Sequence, residues 1–383
     1  GAENVAIGRY SLYNNTTANS NTAVGFQAAY ANTTGAHNVA VGRDALGANT
    51  TGINNTAVGV SALDANTTGS KNVAVGEDSL SANTTADQNT AVGHKALRVN
   101  STGHINTALG TYALEYNQTG HSNTALGYIT LHSSSGNQNT AVGARALQDM
   151  TSGNDNTAVG HHALHSNTTA SNNTAVGESA LELNTTGSGN TAVGHRAGED
   201  VTTGTDNVLV GREAGRQITT GDNNILLGKG AGLANSPSGE LTTGDNRVVL
   251  GDNNITHLYC ADSSISSSDK RDKTDIADFT NGLNWINQLK PVTYRWDRRS
   301  WYGTDEKPLG TPDGSKKRAK KEIGFLAQDV LAIEGNPSDK NDMLVVNLNE
   351  DDTSYGLKYE RLIPVLVNAI KELSTKVTAL EAA

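Results

Sequence analysis

The segment Asn-Val-Ala-Ile-Gly at Asn4 returns as Asn-Thr-Ala-Val-Gly or a near variant at Asn21, Asn38, Asn55 and onward to Asn224. The step is 17 residues throughout, with one step of 16 between Asn123 and Asn139. A last copy, Arg-Val-Val-Leu-Gly, begins at Arg247 after an insertion that contains Ser-Pro-Ser-Gly-Glu-Leu. Fifteen copies in near-constant register constrain the fold more than any composition could. A unit this short cannot bury a core alone, so its neighbours must cover it in a stack.

Composition agrees with stacking. Aromatics make up 4% of residues, with three Phe and two Met against 41 Gly. Large side chains are too few to fill globular domains over this length, whereas layers of small residues can cover each other. Within a unit, positions two and four alternate with a nearly constant Ala at position three, the period of a short strand. The closing Gly, as in Gly25, Gly42 and Gly59, suits a corner with positive φ. A second apolar pair follows, Ala45-Leu46 or Ala62-Leu63, and then an Asn-Thr-Thr-Gly turn such as Asn49 to Gly52. Each unit therefore reads as two short strands and two turns, one coil of a β-solenoid.

The Asn-[Thr/Val]-Ala-[Val/Ile]-Gly unit, over residues 4–251, resembles the head repeats of trimeric autotransporter adhesins. That resemblance implies a left-handed parallel β-roll that trimerises side by side, with the longer unit here absorbed in the turn. Trimerisation also follows from a narrow coil of Val, Ala and Leu, whose apolar flank three chains can bury together. The Asn-x-Thr triplets match glycosylation acceptors, but their place in nearly every turn gives them a turn-forming role.

Several function classes are excluded by the same reading. The net charge is −10, without the basic excess that a phosphate backbone requires, so nucleic acid is not expected as a partner. Cys260 is alone, which leaves no disulfide framework and no cysteine metal site. No apolar run reaches 18 residues, so no membrane insertion is expected. Gly1 in place of Met reads as a truncated start. The histidines scatter over variable positions; His161, His162 and His165 form the one cluster, and a metal there would need a further ligand that the sequence does not identify. No cofactor and no metal are expected.

The repeat stops at Gly251, and composition changes after a Ser-rich connector over 252–267. All three tryptophans, Trp285, Trp296 and Trp301, lie beyond it. The domains expected are a repeat fibre over 1–251, the connector, and a separate α+β domain over 268–383. Tyr359, Ile363, Leu366, Ile370, Leu373, Val377 and Leu380 alternate steps of four and three, the a/d seam of a coiled coil over 359–381. Pro364 sits near its start, where a helix tolerates it. The Lys-Lys-Arg-Ala-Lys-Lys run from Lys316 reads as a solvated hairpin loop.

Four ordered motifs mark this C-terminal part: Ser-Asp-Lys-Arg-Asp-Lys from Ser268, Leu-Lys-Pro-Val-Thr-Tyr-Arg-Trp from Leu289, Gly-Phe-Leu-Ala-Gln-Asp-Val from Gly324, and Tyr-Glu-Arg-Leu-Ile-Pro from Tyr359. Taken alone, the first is a solvated charge run. Together they resemble the intramolecular chaperone domain of phage tailspikes and tail fibres, a serine-peptidase-type autoprocessing module. That resemblance implies Ser268 as nucleophile, Lys273 as general base, and cleavage between Ser267 and Ser268 in a single turnover. A lysine can serve as base when burial or nearby positive charge lowers its pKa.

The expected protein is a homotrimeric phage tail fibre segment on a virion, attached to a host surface receptor, in all expectation a glycan. Its C-terminal domain would drive trimerisation and folding. A bacterial surface adhesin is the alternative reading, and an ice- or polysaccharide-binding solenoid a weaker one. No turnover enzyme is expected in the repeats.

Overall fold

The computed structural model describes residues 1–255, 274, 276–303, 307, 309–337, 339–348 and 354–382. These divide into two compact units, one of residues 1–233 with 241–252, the other of 234–240 with 253–383.

The first unit is a parallel β-solenoid. Fifteen strands of three residues, from β1 (Val5–Ile7) to β15 (Val248–Leu250), lie side by side in chain order in one sheet. Like pairs with like: Val39, Ala40 and Val41 stand opposite Thr56, Ala57 and Val58, 17 residues on. The residue at position three points inward, and Ala40, Ala57 and Ala74 are fully buried, while positions two and four flank it outside. The expected solenoid is present; its second strand is not. Ala45-Leu46 lies in a turn, with Asp44 and Leu46 at φ of 59° and 54°.

Packing explains that difference. A strand would send consecutive side chains to opposite faces, yet Ala45 and Leu46 are both fully buried. A left-handed residue turns the pleat so that both enter the core. The left-handed conformation costs a Leu roughly 1–2 kcal/mol, and burying its side chain contributes about 1.5–3 kcal/mol. The backbone stays paired, because Leu46 N–H donates to Ala62 O at 2.9 Å and Asp44 N–H to Phe26 O at 3.0 Å. At the strand end Gly42 has φ of 136°, and a Cβ there would lie 2.3 Å from Gly59 O. Glycine is required at that corner by conformation and by the closeness of the next coil.

Two columns of buried asparagine tie the coils together. At position one, Asn38 N–H donates to Asn21 Oδ1 at 2.9 Å, and Asn38 Nδ2 donates to Gly52 O at 2.9 Å. This ladder runs unbroken from Asn4 to Arg247. At position twelve, Asn66 Nδ2 donates to Asn49 Oδ1 at 2.8 Å and to Gly69 O at 2.9 Å. Where the ladders run, a buried amide finds partners in its own coil and in its neighbours, as a buried polar group requires.

The second ladder is interrupted where its residue changes, and also between Asn167 and Asn184. Ser134 stands in the 16-residue coil and Met150 in the next. From the coil of Asn190 onward, Val201, Ile218 and Leu241 take the place of asparagine, fully or almost fully buried. There the leucine of the turn becomes Gly198, Gly215 and Gly232, and the inward strand residue becomes Leu209 and Leu226. The large side chains of the core thus move to other positions of the coil.

The second unit is α+β. Strand β16 (Val292–Tyr294) pairs antiparallel with β17 (Glu322–Gly324), and β18 (Val346–Leu348) with β19 (Tyr355–Leu357). Helices α1 (Leu283–Ile286) and α2 (Ala327–Ile333) precede the long terminal helix α3 (Leu362–Glu381). Its core gathers Trp285, Val330, Val345, Val346, Leu362 and Val365. The Glu334 carboxylate accepts the N–H groups of Leu344, Val345 and Val346, which fixes the approach to β18. The basic run from Lys316 lies exposed in the connection between β16 and β17, with Lys320 paired to Glu322 at 2.9 Å.

Candidate functional site

Both units leave an apolar line uncovered. In the solenoid, position four is Val, Ile or Leu in all fifteen coils, from Ile7 to Leu250. These side chains point outward; Leu109 is 44% exposed and Val193 37%. Neighbouring strands of a sheet lie about 4.8 Å apart, so the row is continuous. Single exposed hydrophobic residues are ordinary, whereas an unbroken row is a candidate contact surface.

Helix α3 has two apolar faces. Leu362, Val365 and Ala369 are buried against the core of their own unit. Asn368 Nδ2 donates to Phe279 O at 2.6 Å, and Leu283 N–H donates to the Glu372 carboxylate at 3.3 Å. The other face carries Ile363, Leu366, Ile370, Leu373, Val377 and Leu380, each between 43% and 78% exposed. These are the residues that the sequence spaces at alternating steps of four and three. Tyr359 stands just before the helix, where its hydroxyl accepts the Phe325 N–H at 3.2 Å.

A third surface lies along the solenoid edge formed by positions six, seven, ten and eleven, where coils differ most from one another. Here His161 and His162 stack at 4.0 Å, and His165 tilts against His162 at 4.8 Å. Burial holds the His165 imidazole below its usual pKa, although Asp149 at 3.8 Å opposes this. Burial also pushes the Glu182 carboxyl up, but hydrogen bonds from Ser179 and His162 outweigh it and leave that group below its ordinary value. Among the described residues no group of three or more His, Cys, Asp or Glu side chains could hold a metal ion. No helix among them is long and apolar enough to cross a membrane.

On the same edge, Glu115 is 5% exposed and joins two neighbours. Arg98 Nε reaches Glu115 Oε1 at 2.8 Å, and His132 Nε2 lies 3.0 Å from Oε2. Tyr116 packs edge-on against His132 at 5.0 Å, and the Arg98 guanidinium sits 5.5 Å from its ring centre. Nothing in the period of the repeat exposes this arrangement. The signal was present nonetheless, since the rings fall at the variable positions of adjacent units.

Ser267, Ser268 and Lys273, the residues assigned to self-cleavage, lie outside the described residues. Residues 268–338 match the family model described as chaperone of endosialidase. Behind a β-solenoid, such a domain fits a phage tail fibre with a C-terminal chaperone, a family associated with phage. No curated protein matches the chain.

Proposed function

We propose that the chain is a homotrimeric tail fibre segment that attaches a virion to its host, registered by its C-terminal chaperone domain. The observation that carries this reading is the continuous outward row of Val, Ile and Leu from Ile7 to Leu250. Three parallel copies, each turning its row to a common axis, bury it by the symmetry of a closed assembly. The exposed seam of α3 supports the same stoichiometry, because mixed Ile, Leu and Val at a/d is compatible with three strands. Identical coils pair equally well when shifted by whole units, so register must be fixed at one end. A C-terminal domain that associates first does this. Light scattering on the purified chain should return three times 39.9 kDa, or three times the repeat fragment after cleavage. A monomer at micromolar concentration removes the proposal.

The cleavage reading rests on the motif from Ser268. The Ser268 hydroxyl attacks the carbonyl carbon of Ser267 and gives its proton to Lys273. The peptide bond to the Ser268 nitrogen breaks after that nitrogen takes up the proton, and water then hydrolyses the acyl intermediate. Mass spectrometry of wild type, Ser268→Ala and Lys273→Ala tests it: both variants should remain whole while still forming the trimer. If Ser268→Ala is cut at the same bond, Ser268 is not the nucleophile. A bacterial surface adhesin is the second reading, favoured by the adhesin-like repeat alone.

A further inference from the structure

All seven Phe and Tyr residues before Asn253, from Tyr10 to Tyr128, stand at positions six, seven, ten or eleven of their coils. The buried core of the solenoid contains no aromatic ring at all. Rings usually dominate cores because of the area they bury; here they are placed outside, on one edge, in two groups. One group is Tyr10, Tyr13, Phe26 and Tyr30, with Tyr13 stacked on Tyr30 at 5.6 Å. The other spans the coils of Asn89, Asn106 and Asn123 and adds fixed charges to its rings.

In that second group Tyr128 is 50% exposed and Tyr116 43%. Tyr112 meets both Tyr128 at 6.3 Å and His94 at 5.3 Å, with the Lys95 ammonium 5.9 Å from its ring centre. Glu115 holds Arg98 and His132 from below, so the polar groups beside Tyr116 are fixed before any ligand arrives. Preorganised rings and polar ends lose little entropy on binding. This edge is separate from the apolar row, whose composition is constant where the edge varies.

The backbone narrows the ligand class. Tyr112 N–H is bonded to His94 O at 3.1 Å and Tyr116 N–H to His132 O at 2.9 Å. A peptide strand therefore finds no free ladder here to extend. Stacking rings beside cations also suit single-stranded nucleic acid, but that needs a basic groove along the strand, and residues 1–255 are net acidic. What remains is a polymer with flat apolar faces and a rim of hydroxyls, which is a chain of pyranose sugars.

We infer that the edge formed by Tyr112, Tyr116 and Tyr128 is a glycan-binding platform, with Arg98 and His132 bonding sugar hydroxyls. Glu115 is a positioning residue that aims both. This rests on the attachment reading and names its receptor class and contact residues.

The test uses the full chain, fluorescently labelled, on an array of immobilised bacterial capsular and O-antigen polysaccharides, neutral and acidic. Tyr116→Ala with Tyr128→Ala should weaken binding at least about tenfold, a loss of about 1.4 kcal/mol. Tyr116→Phe should keep it, because the ring face is retained. Glu178→Ala and Arg212→Ala, at the same edge in distant coils, should change nothing. Light scattering and circular dichroism on each variant confirm an unchanged assembly. Undiminished binding by the double variant overturns the platform and leaves attachment standing. Attachment to bacterial cells that survives periodate oxidation, with no bound polysaccharide, overturns the glycan class alone. Attachment to neither array nor any of a strain collection overturns the attachment reading as well.

Discussion

Leu209 occupies the space that a side chain on Gly215 would need: a Cβ built on Gly215 would lie 2.5 Å from Leu209 Cδ2. In the earlier coils this space belongs to the turn leucine, as at Leu46 or Leu181, and the strand supplies Ala. Gly215 keeps the same left-handed backbone, with φ of 61°. The two arrangements are alternative ways to fill one coil. Leu209→Ala should destabilise by about 2–5 kcal/mol through the cavity left behind. Gly215→Leu should destabilise by about 1–3 kcal/mol through overpacking. Combined, they restore the earlier arrangement, and the double variant should be more stable than the sum predicts by at least about 1 kcal/mol. Hydrogen exchange over residues 191–227 measures all three; strict additivity would refute the shared volume.

The asparagine column makes a sharper contrast. Asn66 is bonded on both sides, donating to Asn49 and Gly69 and accepting from Asn83 Nδ2 at 2.9 Å. Asn184 donates to Gly187 O, but its Oδ1 is buried without a partner, as is that of Asn167 one coil earlier. Asn66→Ala leaves Asn49 Oδ1 buried without its donor, at roughly 1–3 kcal/mol, while Gly69 O keeps Asn55 Nδ2 and Asn83 Nδ2 keeps Ala86 O. Asn184→Ala strands nothing, because Gly187 O keeps Asn173 Nδ2, and it removes an orphan. The first should lower the local unfolding midpoint more than the second. Equal effects of the two alanine substitutions would show that the ladder is not what holds the coils.

Asp64 gives a dependence on pH. Burial raises its carboxyl pKa above 3.8, the Ala65 N–H opposes this, and the charges of Asp78 and Asp44 add to the rise. The folded state therefore binds the proton more readily than the unfolded state. Stability falls as pH rises from 3.8 through the folded pKa, and the full penalty is present at neutral pH. Asp64→Asn should raise the melting temperature at pH 7, and the gain should vanish below pH 3.8. A gain that persists unchanged in acid would assign it to something other than ionisation.

How much of this was legible before the structure follows from what repeats. The constant Ala of position three and the Asn-x-Ala-x-Gly register are periodic, so strand, stacking and sheet order could be read directly. Leu46 misled, because an apolar pair implies a strand unless its φ is known, and a left-handed Leu is chosen by packing rather than by propensity. The position-twelve asparagines read as turn residues; only their burial shows that they form a ladder. The platform at Tyr116 is non-periodic, assembled from Arg98, Glu115 and His132 at equivalent places in three coils, and a search for sameness passes over it.

The two faces of α3 separate folding from assembly. Val365 is 1% exposed and packs with Trp285 and Leu362, whereas Ile370 and Leu373 are 66% and 51% exposed. Val365→Asn buries an unpaired amide in the core of the unit, a penalty of roughly 1–3 kcal/mol on top of lost packing. It should lose cooperative melting of this unit. Ile370→Asn with Leu373→Asn removes apolar surface that the single chain leaves in water, so the protomer should keep its circular dichroism. If the seam registers three chains, that pair should abolish the trimer formed during synthesis and yield misaligned or aggregated repeats. The same substitutions should do much less once the solenoids are assembled, because fifteen coils then hold the chains together. Light scattering after expression, compared with light scattering after refolding, reads both effects. A double variant that assembles as well as wild type on synthesis would take the role of registration away from the helix.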